Sequence, residues 1–180
     1  DNDGDGDNDG DGDGDSEVSF FLDFELGSRP KGTSALLSIG SGVRSEADGL
    51  VVLTTGKSCD VSYSACYRAD AIECCSESEV LSVGKRHRLW VHHRECDVTI
   101  TLDGKRVAGG YLCPPLTETW KWLGIGVAVP ALGELGNSVC CKDLTVHRCV
   151  VWGRDVEFDD SATGGVIAQH DGTGLLRTVL

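Results

Sequence analysis

An acidic repeat at the start of the chain carries the clearest metal-binding chemistry in the sequence. Asp occupies every odd position from 1 to 15, with Gly or Asn at each position between. Calcium prefers six to eight oxygen ligands, and loops of the form D-x-D-x-D-G supply them from alternate residues while Gly lets the chain curl round the ion. Residues 1–6 and 7–12 both have this form, so we expect calcium ligands at Asp1, Asp3, Asp5, Asp7, Asp9 and Asp11.

The acidic repeat differs from an EF-hand. An EF-hand needs a bidentate Glu at its twelfth position, which is Gly12 counted from Asp1 and Val18 counted from Asp7. The repeat instead resembles the acidic repeats of thrombospondin type 3 modules and dockerins, and the resemblance implies a linker that calcium stiffens. The alternative is a bare, solvated spacer, because eight charges on a Gly-rich backbone repel one another. We predict a calcium-binding linker over residues 1–15.

A second candidate site is the cationic and aromatic run RHRLWVHHR at 86–94. Successive side chains of a strand point to opposite faces. Guanidinium groups pair with oxyanions, and Trp offers a flat surface for a sugar ring, so one face suits a sulfated or carboxylated glycan or an acidic peptide. The alternative is that the charges solvate an exposed strand while Trp covers the rim of the core. The predicted ligand-binding residues are Arg86, Arg88, Trp90, His92 and Arg94.

Catalytic motifs are missing from the sequence. No G-x-S-x-G nucleophile motif occurs, and no Gly-rich loop introduces a helix that could hold phosphate. His87, His92 and His93 could hold a metal, yet neighbouring residues in a strand project to opposite faces. We therefore predict that the protein is not an enzyme.

Nine cysteines make up 5% of the chain and lack the paired C-x-x-C spacing of a zinc site. Disulfides account for them better, and disulfides indicate an oxidising compartment, so we expect a secreted or cell-surface protein. The odd number leaves at least one thiol free or joined to another chain. The sequence does not assign the bonds. The disulfide candidates are Cys59, Cys66, Cys74, Cys75, Cys96, Cys113, Cys140, Cys141 and Cys149.

Charge and hydropathy argue against two classes of partner. The net charge is −13; residues 1–15 carry eight of the 29 acidic residues, which leaves 21 against 16 Lys and Arg. An acidic chain argues against nucleic acid as the main partner, because phosphate binding needs a basic face. No apolar run approaches the ~20 residues that cross a bilayer, and no segment resembles a signal peptide. We expect a mature form or a fragment of a larger protein.

Alternating apolar residues predict a series of short strands. The pattern covers 18–26, 35–39, 86–93, a hairpin at 98–107 with an Asp-Gly turn, 123–130 and 144–152, while 50–55 indicates a strand buried on both faces. Such strands, without capped amphipathic helices, indicate an antiparallel sandwich or barrel. We divide the chain into the linker 1–15, a β-sandwich 16–152, and an extension 153–180 that is an extra strand or the start of a further segment.

Several of these stretches resemble laminin G-like and concanavalin A-type lectin modules. The resemblance rests on GKRHRLWVHHRECDVTITLDGKRV at 84–107, flanked by SFFLDFEL at 19–26, LGIGVAVP at 123–130 and CCKDLTVHRCVVW at 140–152. Two features depart from the family: Arg86 stands where members often carry Trp, and nine cysteines exceed the usual one or two pairs. The resemblance implies a jelly-roll-like sandwich of two antiparallel sheets that binds glycans or proteins outside cells, without catalysis.

These observations predict an extracellular adhesion or glycan-recognition module of a larger secreted or surface protein. The alternative is a structural subunit of an extracellular filament or surface appendage. In that case the acidic arm of one copy could dock on the basic stripe of the next, since head-to-tail contacts generate filaments when they do not close. The odd cysteine and the charged arm favour the filament, whereas Trp90 and its arginine neighbours favour recognition.

Overall fold

The computed structural model describes residues 17–40, 49–67, 70–112, 122–126, 139–153, 166–170 and 174–177. Within these ranges the chain is all-β, as predicted, and the described part contains no helix that could cross a membrane. The strands are β1 (Glu17–Leu26), β2 (Thr33–Gly40), β3 (Gly49–Thr55), β4 (Ser62–Tyr67), β5 (Asp70–Cys75), β6 (Arg86–Arg94), β7 (Asp97–Leu102), β8 (Lys105–Tyr111), β9 (Trp122–Ile125), β10 (Val139–Cys140), β11 (Leu144–Gly153), β12 (Val166–His170) and β13 (Gly174–Arg177).

The strands form two sheets, which confirms the predicted two-sheet architecture. The first sheet has the order β12-β11-β1-β6-β7-β8, and the second has the order β13-β9-β2-β3-β4-β5. All of these neighbours pair antiparallel, while the short β10 pairs with β2 in parallel. One apolar cluster takes side chains from both sheets, so the sheets enclose a shared core.

The alternation of β1 shows how the first sheet is built. Its even-numbered residues, Val18 to Leu26, are at most 2% exposed and belong to the shared core. Phe21 breaks the alternation in the sequence, and in the structure it points to the other side of the sheet, where it joins a small apolar cluster with Val150 and Trp152. The first sheet therefore has an aromatic patch on the face away from the core.

A β-bulge sets the phase of β11 against β1. Asp23 pairs with Arg148, but Phe24 pairs with Val146, so His147 is an extra residue in β11. Val146 before the bulge and Cys149 after it both belong to the core. Because one residue is inserted, the inward positions change from even to odd numbers along the strand.

One hairpin turn and one buried strand agree with the sequence analysis. The hairpin of β7 and β8 turns at Asp103 and Gly104, which have φ of 51° and 81°, the left-handed conformation that a tight Asp-Gly hairpin turn requires. The predicted double burial of 50–55 is confirmed, since every residue of β3 up to Thr54 is buried.

Other expectations fall partly or wholly outside the described residues. The strand expected at 123–130 is described only as β9, Trp122–Ile125, and the acidic segment 1–15 lies outside the described ranges. In the segment 153–180, β12 pairs with β11 and β13 pairs with β9. This segment therefore adds one described strand to each of the two sheets.

The cysteines show a mixed pattern. Cys96 is disulfide-bonded, whereas Cys59, Cys74 and Cys75 have free thiols in the structure. Cys74 is buried and Cys75 is exposed, so the adjacent pair points to opposite sides of β5 as expected. Burial, with the neighbouring Glu73 and Asp60 carboxylates, raises the pKa of Cys75 to about 11. Beyond Cys96, the disulfide framework expected from the number of cysteines stays a prediction.

Candidate functional site

A groove of about 900 Å³ lies on the outer face of the first sheet. Strands β1, β6, β7 and β11 supply its walls, because their side chains that point away from the core meet there. The lining residues are Ser19, Phe21, Asp23, Arg88, Trp90, His92, Thr99, Thr101, Asp103, Gly104 and Arg148.

Strand β6 alternates as the sequence analysis expected. Its odd-numbered residues from His87 to His93 are buried, and the even-numbered ones are exposed or partly buried. The structure thus places all five predicted ligand-binding residues of β6 on the outer face, and Arg88, Trp90 and His92 line the groove itself. Their role in binding stays a prediction.

The floor of the groove is aromatic. The Trp90 and Trp152 rings are stacked, with centroids 5.3 Å apart and an interplanar angle of 12°. Phe21 lies 4.3 Å from Trp90 on a tilted plane. Phe21 and Trp152 are each 5% exposed, so they support Trp90 from below and hold its partly buried ring in one orientation. Sequence reasoning missed this support, because β1 and β11 are far apart in the chain.

Asp23 organises the arginines at one end of the groove. Its carboxylate accepts two hydrogen bonds of 2.6 Å from Nε and Nη2 of Arg86. Arg88 Nε lies 3.8 Å from the same carboxylate. Hydrogen bonding from Arg86 outweighs burial and holds the pKa of Asp23 below its usual value. Arg86 is thus engaged by two short hydrogen bonds, whereas Arg88 makes only the longer ion pair with Asp23 and its side chain is 67% exposed.

Arg148 is a second groove cation that the sequence analysis did not single out. Its guanidinium carbon lies 5.9 Å from the Phe21 ring centroid, a cation–π contact. It reaches the groove because β11 pairs Arg148 with Asp23 at the bulge. The sequence does show an Arg within an apolar strand. Which face of the sheet Arg148 lies on depends, however, on the extra residue in β11, which the sequence pattern does not reveal.

Asp103 fixes the rim of the groove at the β7–β8 turn. One carboxylate oxygen accepts the Arg88 backbone N–H at 2.9 Å, and the other contacts Lys85 Nζ at 3.2 Å and His87 Nδ1 at 2.9 Å. The Ser82 N–H donates to Nε2 of the buried His87. Burial tends to raise the pKa of Asp103, but these hydrogen bonds outweigh it and lower the pKa. The carboxylate therefore stays charged and positions β6.

His92 and His93 have opposite surroundings. Nδ1 of His92 lies 2.8 Å from Ser19 Oγ and 3.3 Å from Glu17 Oε1. Because hydroxyl and carboxylate meet the same ring nitrogen, the three groups do not form a catalytic triad, which uses both nitrogens. Buried His93 contacts the Tyr63 hydroxyl at 2.9 Å and the Leu112 carbonyl at 3.0 Å. Burial lowers the pKa of His93.

The described residues of this sheet face include no candidate metal site. Among the residues that the structure describes, no group of three or more His, Cys, Asp or Glu side chains could hold a metal ion. The two neighbouring histidines point to opposite sides of β6, as expected. The predicted calcium ligands of the acidic segment lie outside the described ranges, so calcium binding stays a prediction.

A second, smaller cleft of about 290 Å³ lies at the β1–β2 connection. Its side chains include Arg29, Lys31 and Lys142, and Arg29 pairs with Glu79 at 2.9 Å. This cleft has cations but no aromatic surface among its lining residues. It provides a reference against which the groove can be tested.

Comparison with known proteins shows relatives in fold. No family model matches the chain, and no curated protein sequence matches it. The module CBM40 of the Ruminococcus gnavus IT-sialidase, solved with α2,3-sialyllactose, is similar with a TM-score of 0.54 at 13% identity over 81% of this chain and 79% of that one. The same module with α2,6-sialyllactose gives 0.51 at 14% identity, over 81% and 80%.

A laminin structure is also similar. Domains LG4-5 of the mouse laminin alpha1 chain give a TM-score of 0.55 at 11% identity, over 92% of this chain and 41% of that one. The chain also spans 61% of the carbohydrate-binding module CBM66 of Bacillus subtilis, at 16% identity over 55% of this chain, with a TM-score of 0.43. The Ruminococcus gnavus CBM40 module and laminin LG4-5 confirm the predicted lectin-type β-sandwich as a fold. The resemblance of residues 1–15 to thrombospondin type 3 repeats stays a prediction.

Proposed function

We propose that the chain is a glycan-recognition module and that the groove of the first sheet is its binding site. The observation that carries this proposal is the Trp90 ring, held on Trp152 and Phe21 and flanked by the guanidiniums of Arg88 and Arg148. An apolar surface with a few fixed polar groups is the usual composition of a small-molecule site, and ~300–1,000 Å³ is the usual size.

The ligand class follows from the two cations. A guanidinium forms its strongest hydrogen bonds with planar oxyanions, and it can make two of them at once. Arg86 is engaged by Asp23, so Arg88 and Arg148 are the arginines that face a ligand. We infer an acidic glycan that carries a carboxylate or sulfate, with a neighbouring sugar ring on Trp90. The fold similarity to the Ruminococcus gnavus module, solved with sialyllactoses, supports a glycan.

The proposed setting is extracellular, with the chain acting in adhesion as one module of a larger protein. The disulfide at Cys96 and the nine cysteines of the chain support an oxidising compartment. The calcium-binding linker over 1–15 belongs to the same proposal and rests on its sequence. The filament subunit stays the alternative.

A glycan array followed by calorimetry tests the proposal. Arg88→Gln should weaken the best acidic glycan at least about tenfold, or ~1.4 kcal/mol, because a charged hydrogen bond is lost. Arg29→Gln is the matched control: this arginine is also exposed and ion-paired, but it lines the smaller cleft. The proposal fails if no glycan binds, or if the two substitutions weaken binding equally.

A further inference from the structure

The outer face of the first sheet continues past the groove to its edge strand, β8. Thr101 and Thr99, which line the groove, pair in register with Arg106 and Gly109 of β8. Directly paired residues of neighbouring strands share a face of the sheet. A bulge makes Val107 the extra residue between the two pairs, which is why Arg106 and Gly109 lie on the same face. Both residues therefore lie beside the groove wall.

The Arg106 side chain lies over Gly109. A Cβ added at Gly109 would overlap Nη2 of Arg106, and Arg106 Nε lies 3.5 Å from the Ala108 carbonyl oxygen. The side chain thus runs along β8 away from the turn at Asp103. Because Gly109 pairs with Thr99, the guanidinium lies next to the Thr99 side of the groove.

Arg106 differs from the other arginines near the groove in its electrostatic surroundings. The described ion pairs around the groove involve three carboxylates, those of Glu17, Asp23 and Asp103. None includes Arg106, and no other carboxylate in the described ranges lies within ion-pair distance of its guanidinium. Asp97, the next carboxylate along the outer face of β7, lies opposite Arg94 in register. Arg106 therefore keeps an uncompensated charge beside the groove, whereas Arg88 has Asp23 as a neighbour.

Tyr111 adds an aromatic surface at the same edge. Its side chain is 73% exposed. Tyr111 pairs in register with Asp97, two residues from Thr99, so it shares the outer face with Arg106 and Gly109. Gly109 has no side chain to separate the guanidinium from the ring. Together they offer a charged group and a flat apolar surface, the combination that a small-ligand site needs.

We propose that Arg106 and Tyr111 form a second subsite of the groove, in which the guanidinium binds a carboxylate or sulfate of the glycan. This inference rests on the proposed function and narrows its substrate class to acidic oligosaccharides. β6 and β8 lie two strand spacings apart, or ~10 Å, which is more than one sugar ring covers. A ligand with one ring on Trp90 and an anionic group on Arg106 therefore has at least two linked sugars. The planar guanidinium suits either anion, because it can donate two hydrogen bonds at once.

Calorimetry with three hexasaccharides tests the subsite. Hyaluronan carries carboxylates, keratan sulfate carries sulfates, and carboxyl-reduced hyaluronan is uncharged. Arg106→Gln should weaken at least one acidic probe at least about tenfold, because a charged hydrogen bond is lost, and should leave the uncharged probe unchanged. The acidic probe that responds identifies the anion.

Lys105→Gln is the matched control. It removes one positive charge from the neighbouring position of the same strand, but Lys105 pairs with the core residue Leu102 and so lies on the other side of β8. Its affinities should match those of the wild type. Acidic probes that bind Arg106→Gln as tightly as Lys105→Gln would overturn the proposal, because Arg106 would then only solvate the edge strand.

Gly109→Ala tests the position of the guanidinium without changing any charge. The φ of Gly109 lies outside the left-handed region, so Ala fits the backbone. The new methyl group displaces the flexible end of Arg106. Acidic probes should bind at least about fivefold more weakly as the charged hydrogen bond is lost, while the thermal midpoint stays that of the wild type. Tyr111→Ala should weaken charged and uncharged probes alike, because ring stacking does not require a charge on the sugar.

Trp90→Ala separates this subsite from the groove. Acidic probes that lose affinity in Trp90→Ala but not in Arg106→Gln would refute the subsite and leave the groove function standing. Acidic probes that lose affinity in Arg106→Gln but not in Trp90→Ala would refute the ring on Trp90 and leave an anion site at the sheet edge. Binding of none of the three hexasaccharides would overturn the subsite, whereas the glycan array tests the groove function separately.

Discussion

The two faces of β6 use similar residues for opposite purposes. His87 and His93 point inward and are at most 1% exposed, and each ring is held by partners from other parts of the chain. Arg88, Trp90 and His92 point outward into an open groove. Residue type therefore says less about role than position in the alternation does: the inward face stabilises the sandwich, and the outward face is available to a ligand.

The largest expected effect comes from breaking the inward face. Leu89 is 2% exposed and lies in the shared core, so Leu89→Ala should lower the free energy of unfolding by about 3 kcal/mol through lost burial and a cavity. Its neighbour Arg88→Ala should cost below about 1 kcal/mol. Urea denaturation of both variants measures the difference. Similar losses for both would contradict the division between the faces.

Asp23 sharpens the comparison because it is a buried carboxylate on the outward face. Asp23→Asn should lower stability at pH 7 by about 1 kcal/mol, since the charged pair with Arg86 is lost. The pKa of Asp23 is lowered in the folded chain, so the wild-type advantage is present above about pH 4, the unfolded value, and declines as pH falls below it.

Urea midpoints of wild type and Asp23→Asn at pH 7 and pH 3 measure this change. The gap should narrow at the lower pH. A gap that is as large at pH 3 would show that the pair with Arg86 does not depend on the charge of Asp23.

The buried His93 should make the stability of the fold depend on pH. Burial lowers the pKa of His93 in the folded chain, whereas the unfolded chain takes up the proton near pH 6.5. The unfolded state therefore binds more protons below that pH, and stability should fall there by up to about 1.4 kcal/mol per pH unit. His93→Gln should flatten the profile of unfolding free energy between pH 7.5 and 5.5.

The control for this prediction is His92→Gln, which changes the half-exposed neighbour on the other face. Its profile should keep the wild-type slope. If the two variants lose the same slope, the acid response does not arise from the inward histidine.

Arg148→Gln should have the smallest effect on stability, about 0.5 kcal/mol, since a cation–π contact at an exposed site contributes little. Its effect on acidic glycan binding should be larger, about fivefold or more, because a ligand would pair with the cation directly. Thermal denaturation and calorimetry on the same preparation separate the two. A large stability loss with unchanged binding would make Arg148 a structural residue.

Local periodicity predicted much of the first sheet. The alternation in β1 and β6 gave the inward and outward residues correctly, because the period of a strand is a property of a few neighbouring positions. The pairing of Asp23 with Arg86 and the stacking of Trp90 on Trp152 were missed. Both depend on the register of strands that are distant in sequence, which local patterns do not contain.

The cysteines illustrate a different difficulty. Their number predicted disulfides, but composition does not say which thiols lie close enough to bond. Cys74 and Cys75 occupy adjacent positions of β5 with opposite burial, and both have free thiols in the structure. Whether each thiol has a bonding partner depends on which residues the fold brings next to β5. The spacing of cysteines in the sequence does not show this.

The inserted His147 determines which residues of β11 face the core on each side of it. Upstream of it one set of side chains meets the core, and downstream the complementary set does. Deleting His147 would make Val146 and Arg148 consecutive residues of the ladder and leave each on its present face, whereas one further residue absorbed into the ladder would turn Arg148, Val150 and Trp152 inward and Cys149 and Val151 outward. An insertion of one residue beside Arg148 would thus exchange the wall of the groove for part of the hydrophobic interior.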